Sequence, residues 1–168
     1  MEPRARAGGR GRPEPASVLV GVISDTHGVI RPEALATLRG CAQILHAGDV
    51  GSPEVLQALQ QIAPVVAVRG NVDRGDLARR LPATVVVEIG GLRLGVTHNL
   101  HLGLLDPQID RLDVLVYGHS HRPGQSREKD CLLLNPGSAG PRRFGRPATV
   151  GLLRIRRGRA RAELVSIA

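Results

Sequence analysis

Two observations predict an α/β fold of two packed, mixed β-sheets flanked by α-helices. The first half of the chain alternates apolar β-type runs with short helical patterns, and this β-α-β-α-β order lays down parallel strands. The second half changes to strand pairs joined by glycine turns, the pattern of antiparallel hairpins. One open sheet fits that change of pattern less well than two sheets packed together.

The elements follow in order. Residues 1–16 are rich in Arg, Gly and Pro without apolar periodicity, so a disordered tail is expected there, with a basic arm for nucleic acid as the alternative. Residues 17–168 read as one domain. Residues 18–23 form a continuous β-branched and leucine run, expected to be a strand buried on both faces. Pro32 starts a helix that stops near Gly40. A second strand is expected over 43–47. Ser52-Pro53-Glu54 then caps a helix to about Gln61 that buries Val55, Leu56 and Leu59. A third strand covers 64–68. Residues 84–89 and 92–97 form a hairpin about Gly90-Gly91, and a short helix is expected over 107–112. Short strands are read at 114–117 and 132–134. A last hairpin, 149–155 with 160–167, turns near Arg157-Gly158.

Composition excludes some classes. No apolar run approaches the roughly 18 to 20 residues of a membrane span. The run at 18–23 is too short for a signal peptide, so a cytoplasmic protein is expected. Cys41 and Cys131 are far apart and outside any Cys-x-x-Cys pattern, which reads as two buried thiols. The net charge of +8 invites a nucleic-acid reading. Against it, Tyr117 and Phe144 are the only aromatics, too few for base stacking. Nucleic acid is therefore kept as a partner but not favoured, and the basic field is expected to recruit phosphate substrates.

The polar residues fall where the strands end. The strand exits carry Asp25-Thr26-His27, Gly48-Asp49, Gly70-Asn71, His98 and Gly118-His119-Ser120-His121. Parallel strands gather their carboxyl ends at one edge, where ligands bind. Imidazole and carboxylate suit Mn, Fe, Zn, Ni or Co, with Mn expected first. Asp-x-His and His-x-His in extended loops place both side chains on one side. Asp49 is the natural bridge between two cations. Asn71 adds a neutral oxygen and leaves the site net positive, attractive to phosphate.

These five elements, in this order, resemble the calcineurin-like metallophosphoesterases, in particular the small bacterial and archaeal phosphodiesterases of the YfcE type. Asn135-Pro136-Gly137-Ser138 matches a further family segment, expected to be a turn shaping the site. The resemblance implies a four-layer sandwich with two divalent metal ions. One would take Asp25, His27, Asp49 and His121; the other would take Asp49, Asn71, His98 and His119. It also implies in-line attack on phosphorus by a metal-bridging hydroxide, with Asn71 and His98 in the reacting centre. The substrate would be a small phosphodiester or phosphomonoester. Many relatives follow Gly-Asn directly with a histidine that protonates the leaving group. Here Val72 and Asp73 follow, as in YfcE-type members, and His101 is the candidate donor or substrate contact. His46 reads as a packed histidine. Asp73 reads either as a carboxylate orienting a ligand or as a turn residue. The rival functions are a scaffold like the retromer subunit Vps29, which resembles this family, and a nuclease. The ligand set favours catalysis over a scaffold.

Overall fold

The computed structural model describes residues 16–168, so all of the expected tail but Ala16 lies outside the described residues. In chain order the elements are β1 (Val18–Ile23), α1 (Pro32–Leu38), β2 (Gln43–His46), α2 (Pro53–Gln60), β3 (Val65–Ala67), α3 (Gly75–Arg80), β4 (Thr84–Ile89), β5 (Leu92–Thr97), a 3-10 turn (Leu100–Leu102), β6 (Val114–Val116), β7 (Gly124–Glu128), β8 (Cys131–Asn135), β9 (Thr149–Arg156) and β10 (Arg159–Ser166).

They form two five-stranded mixed sheets, as expected. Sheet one has the order β10-β9-β1-β2-β3 and sheet two the order β4-β5-β6-β8-β7. In sheet one, β1, β2 and β3 are parallel and β9 joins β1 antiparallel. In sheet two, β5, β6 and β8 are parallel, while β4 and β7 are antiparallel edges.

Alternation of side chains along the strands builds the layers. Val20, Val22, Leu45, Leu153 and Ile155 of sheet one meet Leu94, Val96, Val114, Val116 and Leu134 of sheet two in one apolar core. The other face of sheet one is covered by α1 and α2 through Leu38, Val55 and Leu59, with Leu56 half-buried beside them. Among the described residues no long helix covers the other face of sheet two; Leu112 and Leu105 close over Leu115 and Leu133 from the connection after β5.

The helix expected over 107–112 does not form. Asp106 draws the backbone N–H groups of Gln108 and Ile109 onto its carboxylate at 2.8 and 2.9 Å, which makes a turn. Arg111 then takes a left-handed φ of 53°, and this ends any regular winding. Three elements were not foreseen, the 3-10 turn at Leu100–Leu102 among them. β7 is an exposed polar edge strand without apolar alternation, and α3 carries only Leu77 as a large apolar residue. Ser52 stands at the start of α2 but makes no capping hydrogen bond, so Pro53 alone sets the helix start there. Cys41 and Cys131 are buried and unpaired with one another, and burial pushes the Cys131 thiol up to about 11.

Candidate metal centre

β1, β2 and β3 point their carboxyl ends the same way, and Asp25, His27, Asp49 and Asn71 follow those ends. β5 and β6 of the second sheet deliver His98, His119 and His121 to the same place. The seam between the sheets is stitched by backbone and side chain. Gly118 N–H donates to the His98 carbonyl at 3.0 Å, and His119 N–H donates to Asp25 Oδ2 at 3.1 Å. The β1 and β2 exit loops pair through Asp25 N–H on the Gly48 carbonyl and His27 N–H on the Asp49 carbonyl, both 3.0 Å.

Five of the seven expected ligands have left-handed backbone without being glycine: Asp25 (φ 53°), His27 (47°), Asp49 (53°), His119 (70°) and His121 (57°). Asp, Asn and His tolerate this region best, yet it still costs free energy and concentrates at functional sites. The packing there is tight. A Cβ on Gly118 would meet the Ser24 hydroxyl and lie 2.7 Å from Asp25 Oδ2, and one on Gly70 would collide with the Asp49 carboxylate.

Two sets of donor atoms converge. In the first, His121 Nε2 is 3.2 Å from Asp25 Oδ1 and 3.3 Å from His27 Nε2. His27 Nε2 is also 3.9 Å from Asp25 Oδ1 and 3.8 Å from Asp49 Oδ2. Asp25 Oδ2 is held by the Ser24 hydroxyl at 2.7 Å, while Oδ1, fully buried, has no hydrogen-bond donor among the described residues. In the second, His98 Nε2 is 3.3 Å from Asp49 Oδ2 and 3.0 Å from Asn71 Oδ1, and His119 Nδ1 is 3.1 Å from the same Asn71 oxygen. Asp25, His27 and His121 form one group able to hold a metal ion, and Asp25, Asp49 and His98 another.

The tautomers follow from the partners. His98 Nδ1 faces the Ala47 carbonyl at 2.8 Å, which can only accept, so Nδ1 carries hydrogen and Nε2 faces two acceptor oxygens. Burial works to lower the His98 pKa, but the hydrogen bond and charge of Asp49 outweigh it and hold the ring above its ordinary value. Burial opposes the charge on Asp49 in turn, yet His98 and the Val72 N–H keep it below the usual carboxylate range. His27 is lowered by burial, helped by the nearby charges of His121 and Arg143 and opposed by Asp49 and Asp25. The donor set fits a cation. A buried carboxylate oxygen without a donor, imidazole nitrogens aimed at one another, and a histidine Nε2 facing two acceptor oxygens all call for positive charge.

His46 does not join the cluster. It is fully buried, and Gly48 N–H donates to its Nδ1 at 3.1 Å. Its Nε2 lies 2.9 Å from the Thr26 hydroxyl, which donates onward to the Val50 carbonyl. Burial drives its pKa down to about 4, so the ring is a neutral packed group. Asp73 orients loops. Its carboxylate accepts the N–H groups of Gly51 (2.9 Å), Gly70 (2.8 Å) and Val50 (3.3 Å), and so ties the loop of Asp49 to the loop of Asn71. His101 is exposed in the 3-10 turn, and its ring has no hydrogen bond or ion pair with the cluster. The cleft of about 270 Å³ beside Asn71 and His98 is walled instead by Leu102 and Leu104. Asn135 donates to the Gly118 carbonyl and to the Ser120 hydroxyl, both at 3.1 Å, and Ser138 donates to the Asp25 carbonyl at 3.0 Å; this segment shapes the loops from behind. Sequence reasoning missed two neighbours. Ser24 was readable as the residue before Asp25, whereas Arg143 had no motif to flag it.

The calcineurin-like phosphoesterase superfamily domain matches residues 18–158, and the chain belongs to that superfamily. It is 38% identical over 160 residues to a probable metallophosphoesterase of Methanothermobacter thermautotrophicus, covering 88% of this chain and 92% of that one. Among solved structures, YfcE, a phosphoesterase from E. coli, matches 90% of this chain and 100% of its own at a TM-score of 0.65 and 26% identity. Vps29 from Entamoeba histolytica, solved in complex with Zn²⁺, covers the same shares at a TM-score of 0.66 and 25% identity. The family resemblance and the fold read from the motifs are both borne out.

Proposed function

We propose that this chain hydrolyses phosphodiesters, and monoesters less readily, with two divalent cations held at the sheet seam. Asp25, His27, Asp49 and His121 would hold one, and Asp49, Asn71, His98 and His119 the other. The observation that carries the reading is the position of Asp49 Oδ2, 3.8 Å from His27 Nε2 and 3.3 Å from His98 Nε2, between the two converging sets of donor atoms. Bound there, the cations would supply Lewis acidity, lowering the pKa of water and offsetting charge on phosphoryl oxygens. Four positive charges against the two carboxylates of Asp25 and Asp49 leave the centre net positive, suited to a phosphate anion.

The chain's own residues do the rest. The Ala47 carbonyl fixes the His98 ring so that Nε2 faces inward. Asp73 holds the loops of Asp49 and Asn71 at a set separation. Arg143, exposed and with a charge that reaches His27, would help attract the phosphoryl group from the solvent side. The likeness to YfcE supports this reading. The likeness to Vps29, which was itself solved with Zn²⁺, supports a scaffold as the second reading.

The test is an assay of metal-reconstituted protein, Mn²⁺ first, against small diesters, monoesters and cyclic nucleotides, with Asp49→Ala as control. Turnover that Asp49→Ala abolishes is the expected result. Full activity in Asp49→Ala would sink the two-cation reading, and no turnover with any metal would leave the scaffold.

A further inference from the structure

The connection after β5 carries four leucines, and the packing of the fold uses two of them. Leu100 and Leu105 pack with Leu112, Leu115 and Leu133 on the outer face of sheet two. Leu102 and Leu104 are instead 65% and 52% exposed, and they wall the cleft of about 270 Å³ that Asn71 and His98 also line. The backbone sets them there. Asn99 Oδ1 accepts the His101 N–H at 3.0 Å and starts the 3-10 turn. Gly103 ends it with a left-handed φ of 62°, and its N–H donates to the Leu100 carbonyl at 3.2 Å. Single exposed leucines are ordinary; two on the wall of one cleft beside a candidate metal centre mark a binding surface.

The rest of the cleft is mixed. Ala83 adds a small apolar side chain, and Arg69 lines the cleft with one guanidinium N–H committed to the Leu81 carbonyl at 2.8 Å. Thr97 lines it too. This residue is 2% exposed, and its hydroxyl has no hydrogen-bond partner among the described residues. A buried hydroxyl left unpaired is unfavourable until a partner reaches it. Apolar walls with a few polar groups are the make-up of a small-molecule site. The volume lies below the roughly 300–1,000 Å³ of sites for drug-sized ligands, so it suits one ring or a short chain. The face of a folded partner, about 800 Å² a side, has no room in it.

We infer that this cleft seats the organic arm of the phosphoester, and that Leu102 and Leu104 select substrates whose arm is apolar and ring-sized, such as an aryl ester. The inference rests on the phosphoesterase reading above, because Asn71 and His98 belong both to the cleft and to the proposed site of the second cation. A phosphoryl group held at that cation has the cleft beside it. Removing an apolar arm from water there adds affinity that a hydrophilic arm of the same size does not gain.

The experiment is calorimetric titration of the Mn²⁺-loaded full chain with three phosphonates that share one anionic head: methyl-, 3-hydroxypropyl- and phenylphosphonate. Wild type is compared with the double variant L102Q, L104Q, and turnover of a small diester is followed on the same wild-type preparation. Wild type should bind phenylphosphonate at least about tenfold more tightly than methylphosphonate, the order expected for burying a ring. In the variant that ratio should fall to about twofold or less, with the thermal midpoint unchanged because both leucines are exposed. Equal affinities in wild type would overturn the inference, as would a ratio that survives in the variant. So would tighter binding of the hydroxypropyl compound than the phenyl one, or no binding of any of the three. The two readings separate cleanly. Turnover without the phenyl preference sinks the cleft and spares the hydrolase, whereas the phenyl preference without turnover upholds the cleft and sinks the hydrolase.

Discussion

Asp49 sets its Oδ2 atom 3.3 Å from Nε2 of His98, and this contact joins the exit of β2 in one sheet to the end of β5 in the other. The charge and hydrogen bond of Asp49 raise the His98 pKa, so the contact favours positive charge at this point of the seam. Asp49→Asn keeps the shape and removes the charge. It is expected to lower bound metal to one equivalent or less and kcat/KM on a small diester by at least about 100-fold, since even outer partners of metal ligands are worth 10- to 100-fold. Metal analysis and steady-state kinetics on one preparation check it.

Asp73 is a structural counterpart. Replacement by Asn leaves one acceptor oxygen where three N–H groups had a carboxylate. The expected cost is about 1–3 kcal/mol of stability. Metal affinity should fall by about 10- to 100-fold, because the loops of Asp49 and Asn71 lose their tie. Denaturant unfolding and metal titration report the two effects separately, and a variant indistinguishable from wild type in both would remove Asp73 from the account.

Arg143 acts through its field. It is exposed, so Arg143→Gln should cost only about 1 kcal/mol, several-fold in kcat/KM and mostly through KM. The deficit should shrink as salt rises, because exposed charges are screened. A loss independent of ionic strength would speak against an electrostatic role.

The pH dependence of metal-free stability has a definite sign. His46 titrates near 6.5 when unfolded and near 4 when folded, so the unfolded chain binds more protons between these values. Stability therefore rises with pH across that window and is lost as pH falls through it, by up to about 3 kcal/mol in all. His27, also lowered, pushes the same way. His98 is raised, so its contribution is fully present below the unfolded value and lost only as pH climbs through the folded one. Below pH 6.5 the titration of His46 therefore governs. Unfolding by urea at pH 7, 6 and 5 in EDTA should show the decline, and His46→Gln should flatten it.

The strands of the centre were legible because each buried run ends abruptly in polar residues. Asp25, His27, Asp49, His119 and His121 announce themselves as the break in an apolar pattern. The hairpins were legible from Gly90-Gly91 and Arg157-Gly158. β7 was not, because an exposed edge strand such as Gly124–Glu128 has no face to bury and so no alternation to read. The helix expected over 107–112 failed because the sequence does not show that the Asp106 carboxylate captures the N–H groups of Gln108 and Ile109. Arg143 was invisible for a different reason: only the folded loop brings it near His27, more than a hundred residues away.

The centre draws its donors from both sheets, Asp25, Asp49 and Asn71 from one and His98, His119 and His121 from the other. Neither half of the chain can assemble it alone. Metal binding and inter-sheet docking are therefore linked equilibria, and a cation held across the seam acts as a clasp whose strength grows with its concentration as RT ln(1 + [M]/Kd). At a hundredfold excess over Kd that is about 2.7 kcal/mol, a sizeable share of the stability of a small domain. Metal supply would then govern how long the folded chain survives as well as whether it reacts.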